Sequence, residues 1–372
     1  MDNKKLKLNL ILSVCIVIAV FAALLTVASL YDLQISDFLT SGSLKKGEYY
    51  SDNGFAVFFE ILGGSVVYVA GGIASIVCVC AAFKMQDGEK FFFIPELKGK
   101  LYKAVKWILI IVFSAFAVYE MYCAVHDIFK YTDRYIQGLL QGSGLKFSLN
   151  SGYLIAAQLV LALAFSGLIF ALFMRVKKED IIKLVKFAIL VFVVEALYLV
   201  VVELVKTPVG RMRYRTMNAL GDFSYYTPWY KINGARNAII IPGMGVIPSG
   251  GTPGAEILVG AATDTCKSFP SGHTYCAAMS FVLVCLPDLI ERFKKPWIKV
   301  LCWVIPAVYT VTVAVCRIVV GAHFLSDVLV GGTLAFVFIM IIREVLILKC
   351  AHFKAFFKKR EQPAVVGDTV DE

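Results

Sequence analysis

Eight apolar runs, each long enough to cross a bilayer, constrain this chain more than any other feature of its sequence. They lie at roughly 8–31, 55–83, 106–126, 152–174, 186–205, 273–290, 299–316 and 324–348. A helix needs about twenty apolar residues to span the hydrocarbon layer. In lipid every backbone N–H and C=O must find its partner inside the protein, so runs of this kind fold as helices. Composition agrees: 59% of the 372 residues are hydrophobic and only 17% are charged, against about a quarter charged in a soluble domain. With a mean hydropathy of +0.76, the expectation is an all-α integral membrane protein of about eight transmembrane helices.

Charge sets the orientation. Lys4, Lys5 and Lys7 precede the first run; Lys84 to Lys106, Arg175 to Lys186 and Arg292 to Lys299 fill alternate gaps; Lys354, Lys358, Lys359 and Arg360 follow the last. Every second loop is basic, and the positive-inside rule makes these cytoplasmic. Eight spans then place both termini in the cytoplasm of a multi-pass cell-membrane protein. The first run lacks a small-x-small cleavage site, which predicts a retained helix rather than a removed signal. The net charge of +10 is spread over these gaps and forms no basic stripe, so no nucleic-acid partner is expected. The ten cysteines lie mostly inside apolar runs, where they act as small hydrophobes. No disulfide framework or metal site is legible among them.

The segment 206–272 carries seven Lys and Arg residues on the outward side, against the bias. Within it KTPVGRMRYR, 206–215, gathers Lys206, Arg211, Arg213 and Arg215. Arginine offers a planar fork to phosphate oxygens and lysine a point charge; attraction to anionic headgroups is an equally simple reason for the patch. SFPSGHT, 268–274, opens the next helix, so Ser271 and Gly272 fall where first-turn amides are open to an anion. His273 stands beside them as a proton donor, although an ordinary N-cap serine with an interfacial histidine would read the same. CRIVVGAHFLSD holds Arg317, His323 and Asp327, three costly residues at a membrane edge. His323 and Asp327 are four apart and share a helix face, which suits a carboxylate-oriented imidazole nucleophile. Parity puts all three groups on one outward boundary. Tyr225, Tyr226, Trp229 and Tyr230 have the make-up of a headgroup-level aromatic cluster, while Glu120 and Glu195 suit hydrogen bonding between helices.

In order and spacing, Lys206-x6-Arg213, Pro270-Ser271-Gly272-His273 and Arg317-x5-His323-x3-Asp327 resemble the three signature motifs of the type-2 phosphatidic acid phosphatase family. That family includes lipid phosphate phosphatases, undecaprenyl-pyrophosphate phosphatases and, more distantly, vanadium haloperoxidases. The resemblance covers roughly residues 200–345. It implies a six-helix phosphatase-like core at 105–348, preceded by a two-helix extension at 1–104 and followed by a basic, then polar, cytoplasmic tail at 349–372. It implies His323 as nucleophile, Asp327 as its orienting carboxylate, and His273 as the acid that protonates the leaving group. Lys206, Arg213, Ser271, Gly272 and Arg317 would hold the phosphate oxygens. Carboxylate clusters of the kind a magnesium site needs are lacking, so neither a metal nor another cofactor is expected. The implied substrate is a lipid phosphate or polyprenyl pyrophosphate, with a phosphotransferase or a non-catalytic lipid-binding or transport protein as alternatives. Two positions depart from the family pattern: Tyr214 stands where a proline follows the motif arginine, and Cys316 where a serine precedes Arg317.

Overall fold

The computed structural model describes residues 3–89, 95–140, 152–234, 240–241, 245–246 and 265–351, and these are almost wholly helical. In chain order the helices are α1 (Asn3–Thr40), α2 (Gly54–Gly63), α3 (Ser65–Lys84), α4 (Gly99–Leu140), α5 (Gly152–Met174) and α6 (Lys178–Leu197). After them come α7 (Leu204–Val209), α8 (Tyr214–Leu220), α9 (Gly272–Ala278), α10 (Leu286–Leu289), α11 (Pro296–Val319) and α12 (Leu325–Ile342). A two-residue antiparallel pairing of Ile240–Ile241 with Gly245–Val246 is the only extended pair among the described residues. Among the described residues eight helical stretches are long and apolar enough to cross a membrane, and each overlaps one of the eight apolar runs.

Helix α5 shows how the bilayer inverts the usual rule of burial. Its buried positions are Gln158, Ala162 and Ser166, one small or polar stripe at i, i+4 and i+8. Leu159, Val160, Leu163 and Leu168 point outward. Between helices in lipid, small and polar residues make the contact and large apolar ones meet the acyl chains. Gln158 Oε1 lies 3.0 Å from His126 Nδ1 on α4. Glu120 on α4 and Glu195 on α6 hydrogen-bond to each other, as their placement in the runs suggests. The main core lies where α3 packs against α4 and α6 and where α9 packs against α12 and α11.

Helix α1 differs from its apolar run. The run ends near residue 31, but the helix continues to Thr40. Asp32, Ser36 and Thr40 are spaced four apart and are each at most 1% exposed. This polar stripe lies inside the protein, where α1 runs along α12 and α11.

The sixth span is built differently from the others. Its α-helical start, α9, passes into a 3₁₀ segment, Met279–Cys285, before α10. The fifth span contains a π segment, Tyr198–Glu203, between α6 and α7. Interruptions of this type recur at functional sites, and Tyr198 and Lys206 flank this one.

Candidate active site

Three backbone hydrogen bonds draw the three motifs together. The Arg215 amide donates to the Gly321 carbonyl at 2.7 Å, the Ser268 amide to Arg211 at 3.0 Å, and the Ser271 amide to Asp327 at 3.0 Å. Around this junction lies a cavity of about 250 Å³. Five of the eight residues singled out in the sequence line it: Lys206, Arg213, Gly272, His273 and His323. Lys267, Tyr198 and Cys276 join them from nearby in the chain, while Gly64 and Tyr68 come from α3 and its start. Asp127, Lys130 and Tyr131 come from one face of α4.

His323 is presented by the tight turn between α11 and α12. Gly321 has φ of +68°, and a Cβ there would sit 3.0 Å from both Arg215 Cβ and Leu44 Cδ2, so glycine is needed for backbone and space alike. The amides of Ala322 and His323 both donate to the Arg317 carbonyl. The ring is fully enclosed, 1% exposed. Its Nδ1 lies 2.6 Å from the Ser268 carbonyl oxygen. A carbonyl only accepts, so Nδ1 carries the hydrogen and Nε2 keeps its lone pair. Arg213 donates to that Nε2 at 3.2 Å and to the Ala322 carbonyl at 2.9 Å. Burial first, and the Arg213 guanidinium next, push the His323 imidazole down to about 3, with Asp327 opposing them. The imidazole is therefore neutral at physiological pH.

The other three predicted residues stand behind the cavity wall. Asp327 was expected to orient His323 directly, but its Oδ2 is 3.8 Å from Nδ1. Its carboxylate accepts instead from Ser268 Oγ at 2.5 Å, the Phe324 amide at 2.8 Å and Arg211 Nη1 at 2.5 Å. The Ser268 carbonyl takes the orienting contact, and Asp327 fixes the residues on either side of it. Arg317 does not line the cavity; its guanidinium donates to Glu60 of α2. Ser271 caps α9 through its side chain. Its amide, expected to be open to an anion, is committed to the Asp327 carbonyl.

Two buried ionic clusters complete this layer. In the first, Arg211 pairs with Asp32 of α1 at 2.9 Å as well as with Asp327, and Asp32 accepts from the Ser326 amide at 2.9 Å. The Arg211 guanidinium lies over the Phe324 ring, 4.1 Å from its centroid. In the second, Glu60 accepts from Arg215 at 3.1 Å and from Arg317 and Tyr135. Sequence reading passed over Asp32 and Glu60, although each is a carboxylate at or inside an apolar run, which marks a functional position in a membrane protein. It also missed Asp127, Lys130 and Lys267, whose signal is only their register on α4 and their nearness to the second motif.

Both departures from the family pattern have a place. Tyr214 is the first residue of α8, after Arg213 as N-cap. A proline fits that position because its missing N–H would have no helical partner. The tyrosine hydroxyl instead donates to Asp37 of α1 at 2.8 Å. Cys316 is buried among Ala56, Val320 and Ala322. The aromatic cluster divides: Tyr226 and Trp229 pack onto Phe324 and Phe269, while Tyr230 is exposed. Most of the Gly/Pro-rich stretch 241–254 lies outside the described residues.

Among the described residues no group of three or more His, Cys, Asp or Glu side chains is placed to hold a metal ion. No curated protein and no solved structure matches the chain. The family model of the PAP2 superfamily matches residues 187–348, a span that contains all three motifs and most of the residues around the cavity. Over residues 187–348, then, the chain is similar to the PAP2 superfamily.

Proposed function

We propose that this protein is a metal-independent lipid phosphatase that works through a phosphohistidine at the extracytoplasmic face of the cell membrane. The observation that carries the reading is the His323 ring. Its Nδ1 is held by a carbonyl, and its neutral Nε2 faces a cavity shared with Arg213, Lys206 and His273. In the first step Nε2 attacks phosphorus, forming the P–N bond as the P–O bond to the leaving group breaks. His273 gives its proton to the departing oxygen. In the second step His273 takes a proton from water, the water oxygen bonds to phosphorus, and the P–N bond breaks to restore His323 and release phosphate.

Arg213 and Lys206 meet the non-bridging oxygens, where added negative charge develops. Arg317 contributes positive charge from behind the wall. Asp327, 3.8 Å from Nδ1, balances the charge that His323 acquires on phosphorylation. The cavity is polar and small enough to admit a headgroup while the hydrocarbon tail stays in the bilayer, which favours a lipid phosphate or polyprenyl pyrophosphate. The outward orientation and the cytoplasmic termini rest on the alternation of basic loops. A phosphotransferase would use the same groups and hand the phosphoryl group to an acceptor other than water. A binding or transport protein would need the cations but not a tautomer-locked imidazole.

The test is phosphate release by the purified, reconstituted protein from a panel of lipid phosphates and pyrophosphates, wild type against His323→Ala, with and without EDTA. Release by the wild type that survives EDTA and vanishes in the variant is expected. Full activity in His323→Ala, or an absolute need for added divalent metal, would overturn the assignment.

A further inference from the structure

Helix α4 brings a carboxylate to the cavity that none of the three motifs contains. We propose that Asp127 is the positioning residue for the acid His273, its carboxylate favouring the protonated, correctly placed ring across the missing side chain of Gly64. The inference rests on the phosphatase reading above and deepens it.

The geometry begins with two glycines between α2 and α3. A Cβ on Gly63 would lie 3.5 Å from His273 Cδ2, so the imidazole rests against this stretch of backbone. A Cβ on Gly64 would lie 2.4 Å from Asp127 Oδ2 and 3.4 Å from His273 Nε2. The carboxylate oxygen and the ring nitrogen thus share the space that any larger residue at Gly64 would fill. Tyr131, one turn after Asp127 on α4, packs against the same ring: the two rings meet edge-on, with centroids 4.9 Å apart and planes at 86°. His273 Nε2 is buried and has no hydrogen-bond partner in the resting structure. It is pre-oriented but not yet engaged, a common state for catalytic groups before substrate arrives.

The charges around the ring explain why a carboxylate is needed. Arg317 faces His273 from α11, His323 from the turn before α12, Lys206 from α7 and Arg213 from the loop after it. Lys130, Lys267, Tyr68, Tyr198 and Cys276 complete the titratable lining. Among the described residues that line the cavity, Asp127 is the only carboxylate. Cations suit a phosphate, but they oppose the proton that an acid must carry; an opposite charge close to the ring restores it. Asp327 is in no position to do this, because its oxygens are taken by Arg211, Ser268 and Phe324.

The experiment uses leaving-group dependence. Asp127→Asn and Gly64→Ala are assayed in the full-length reconstituted protein with two substrates: a lipid phosphate, whose alkoxide leaves poorly, and p-nitrophenyl phosphate, whose phenolate leaves without a proton. Asp127→Asn should lose ~100-fold in kcat/KM on the lipid and less than ~10-fold on the nitrophenyl ester, since general acid catalysis is worth roughly 10²–10⁴. The alkaline limb of the lipid pH profile should move to lower pH. Gly64 has helical φ and ψ of −78° and −31°, so alanine is compatible with the backbone. It should reproduce the pattern by displacing the carboxylate without removing its charge. Equal losses on both substrates with an unmoved alkaline limb in both variants would overturn the role of Asp127 alone. Phosphate release persisting in His323→Ala would overturn the phosphatase reading and this inference with it.

Discussion

The wall of the cavity and the layer directly behind it are built from the same residue types, with opposite arithmetic. Behind the wall, Arg211 is matched by Asp32 and Asp327, and Arg215 and Arg317 converge on Glu60. In front, Lys130, Lys206, Arg213 and Lys267 face the cavity, with Asp127 the sole carboxylate among the described lining residues. Removing charges from water is expensive unless each is paired, and every arginine of the rear layer has a carboxylate partner. On the proposed reading the front is left positive for a phosphate to complete. Two arginines of a single motif then do different work: Arg211 holds the frame, and Arg213, facing the cavity, is proposed to meet substrate.

This contrast predicts two kinds of failure. The largest effect belongs to the front: His323→Ala should lower phosphate release at least ~1,000-fold, the scale set by loss of a covalent nucleophile. Its thermal unfolding should change little. A variant that is inactive only because it no longer folds would erase the distinction between the layers. The rear should fail in the opposite way. Glu60→Ala leaves Arg215 and Arg317 buried without their carboxylate, and Asp32→Ala strips Arg211 of one partner. Breaking a buried pair costs about 3–5 kcal/mol, so both should show reduced yield and a lower melting temperature before any change in substrate preference. Wild-type stability in Glu60→Ala would show that the rear layer is not what holds the site.

A third, smaller effect concerns pH. The reactive form of His323 is neutral, and its folded value is held near 3, below the 6.5 usual for histidine. Protonation of the nucleophile should therefore not reduce kcat/KM between pH 8 and 5. Arg213→Met removes the guanidinium that, after burial, does most to hold this value down, so the acid limb should rise toward neutrality while maximal activity also falls. The same shift affects stability: the unfolded chain takes up the His323 proton below about pH 6.5 and the folded one only near 3. Its contribution is thus complete above 6.5 and is lost as pH falls between these values. An acid limb that stays in place in Arg213→Met would remove this residue from the electrostatics of the nucleophile.

The smallest effect is expected at Tyr214. Tyr214→Phe keeps the ring and deletes the hydroxyl with its hydrogen bonds to Asp37 and Thr40, each worth about 1 kcal/mol. Stability should drop slightly and kcat/KM should not move. A large catalytic defect would mean that the residue standing in place of proline acts on the phosphate site rather than on α1.

The spans and the three motifs were legible because each obeys a rule that acts along the chain: hydrocarbon thickness for the spans, fixed spacing for the motifs. The partners of those motifs were not. Asp32 is the first charge after a long apolar run, which makes it look like the end of a span. The helix in fact continues for two more turns because its polar face is covered by protein rather than water. Glu60 is one carboxylate in an otherwise apolar run, and nothing within that run names an arginine 155 or 257 positions away. The expected contact of Asp327 with His323 is stretched to 3.8 Å for a related reason. A spacing of four places two side chains on one face, but the Ser268 carbonyl, from another segment, reached Nδ1 first.

The pairing of Asp32 with Arg211 has a consequence for how the molecule is made. The two residues are 179 positions apart, and translation proceeds at roughly 5–20 residues per second. Asp32 thus enters the membrane about 10–40 s before its arginine has been synthesised. Until then α1 is a helix with an uncompensated acid near one end, free to drift from the spans that follow it. Closure of this buried ionic frame is therefore a late event in biogenesis, and an early-inserted helix must wait for it.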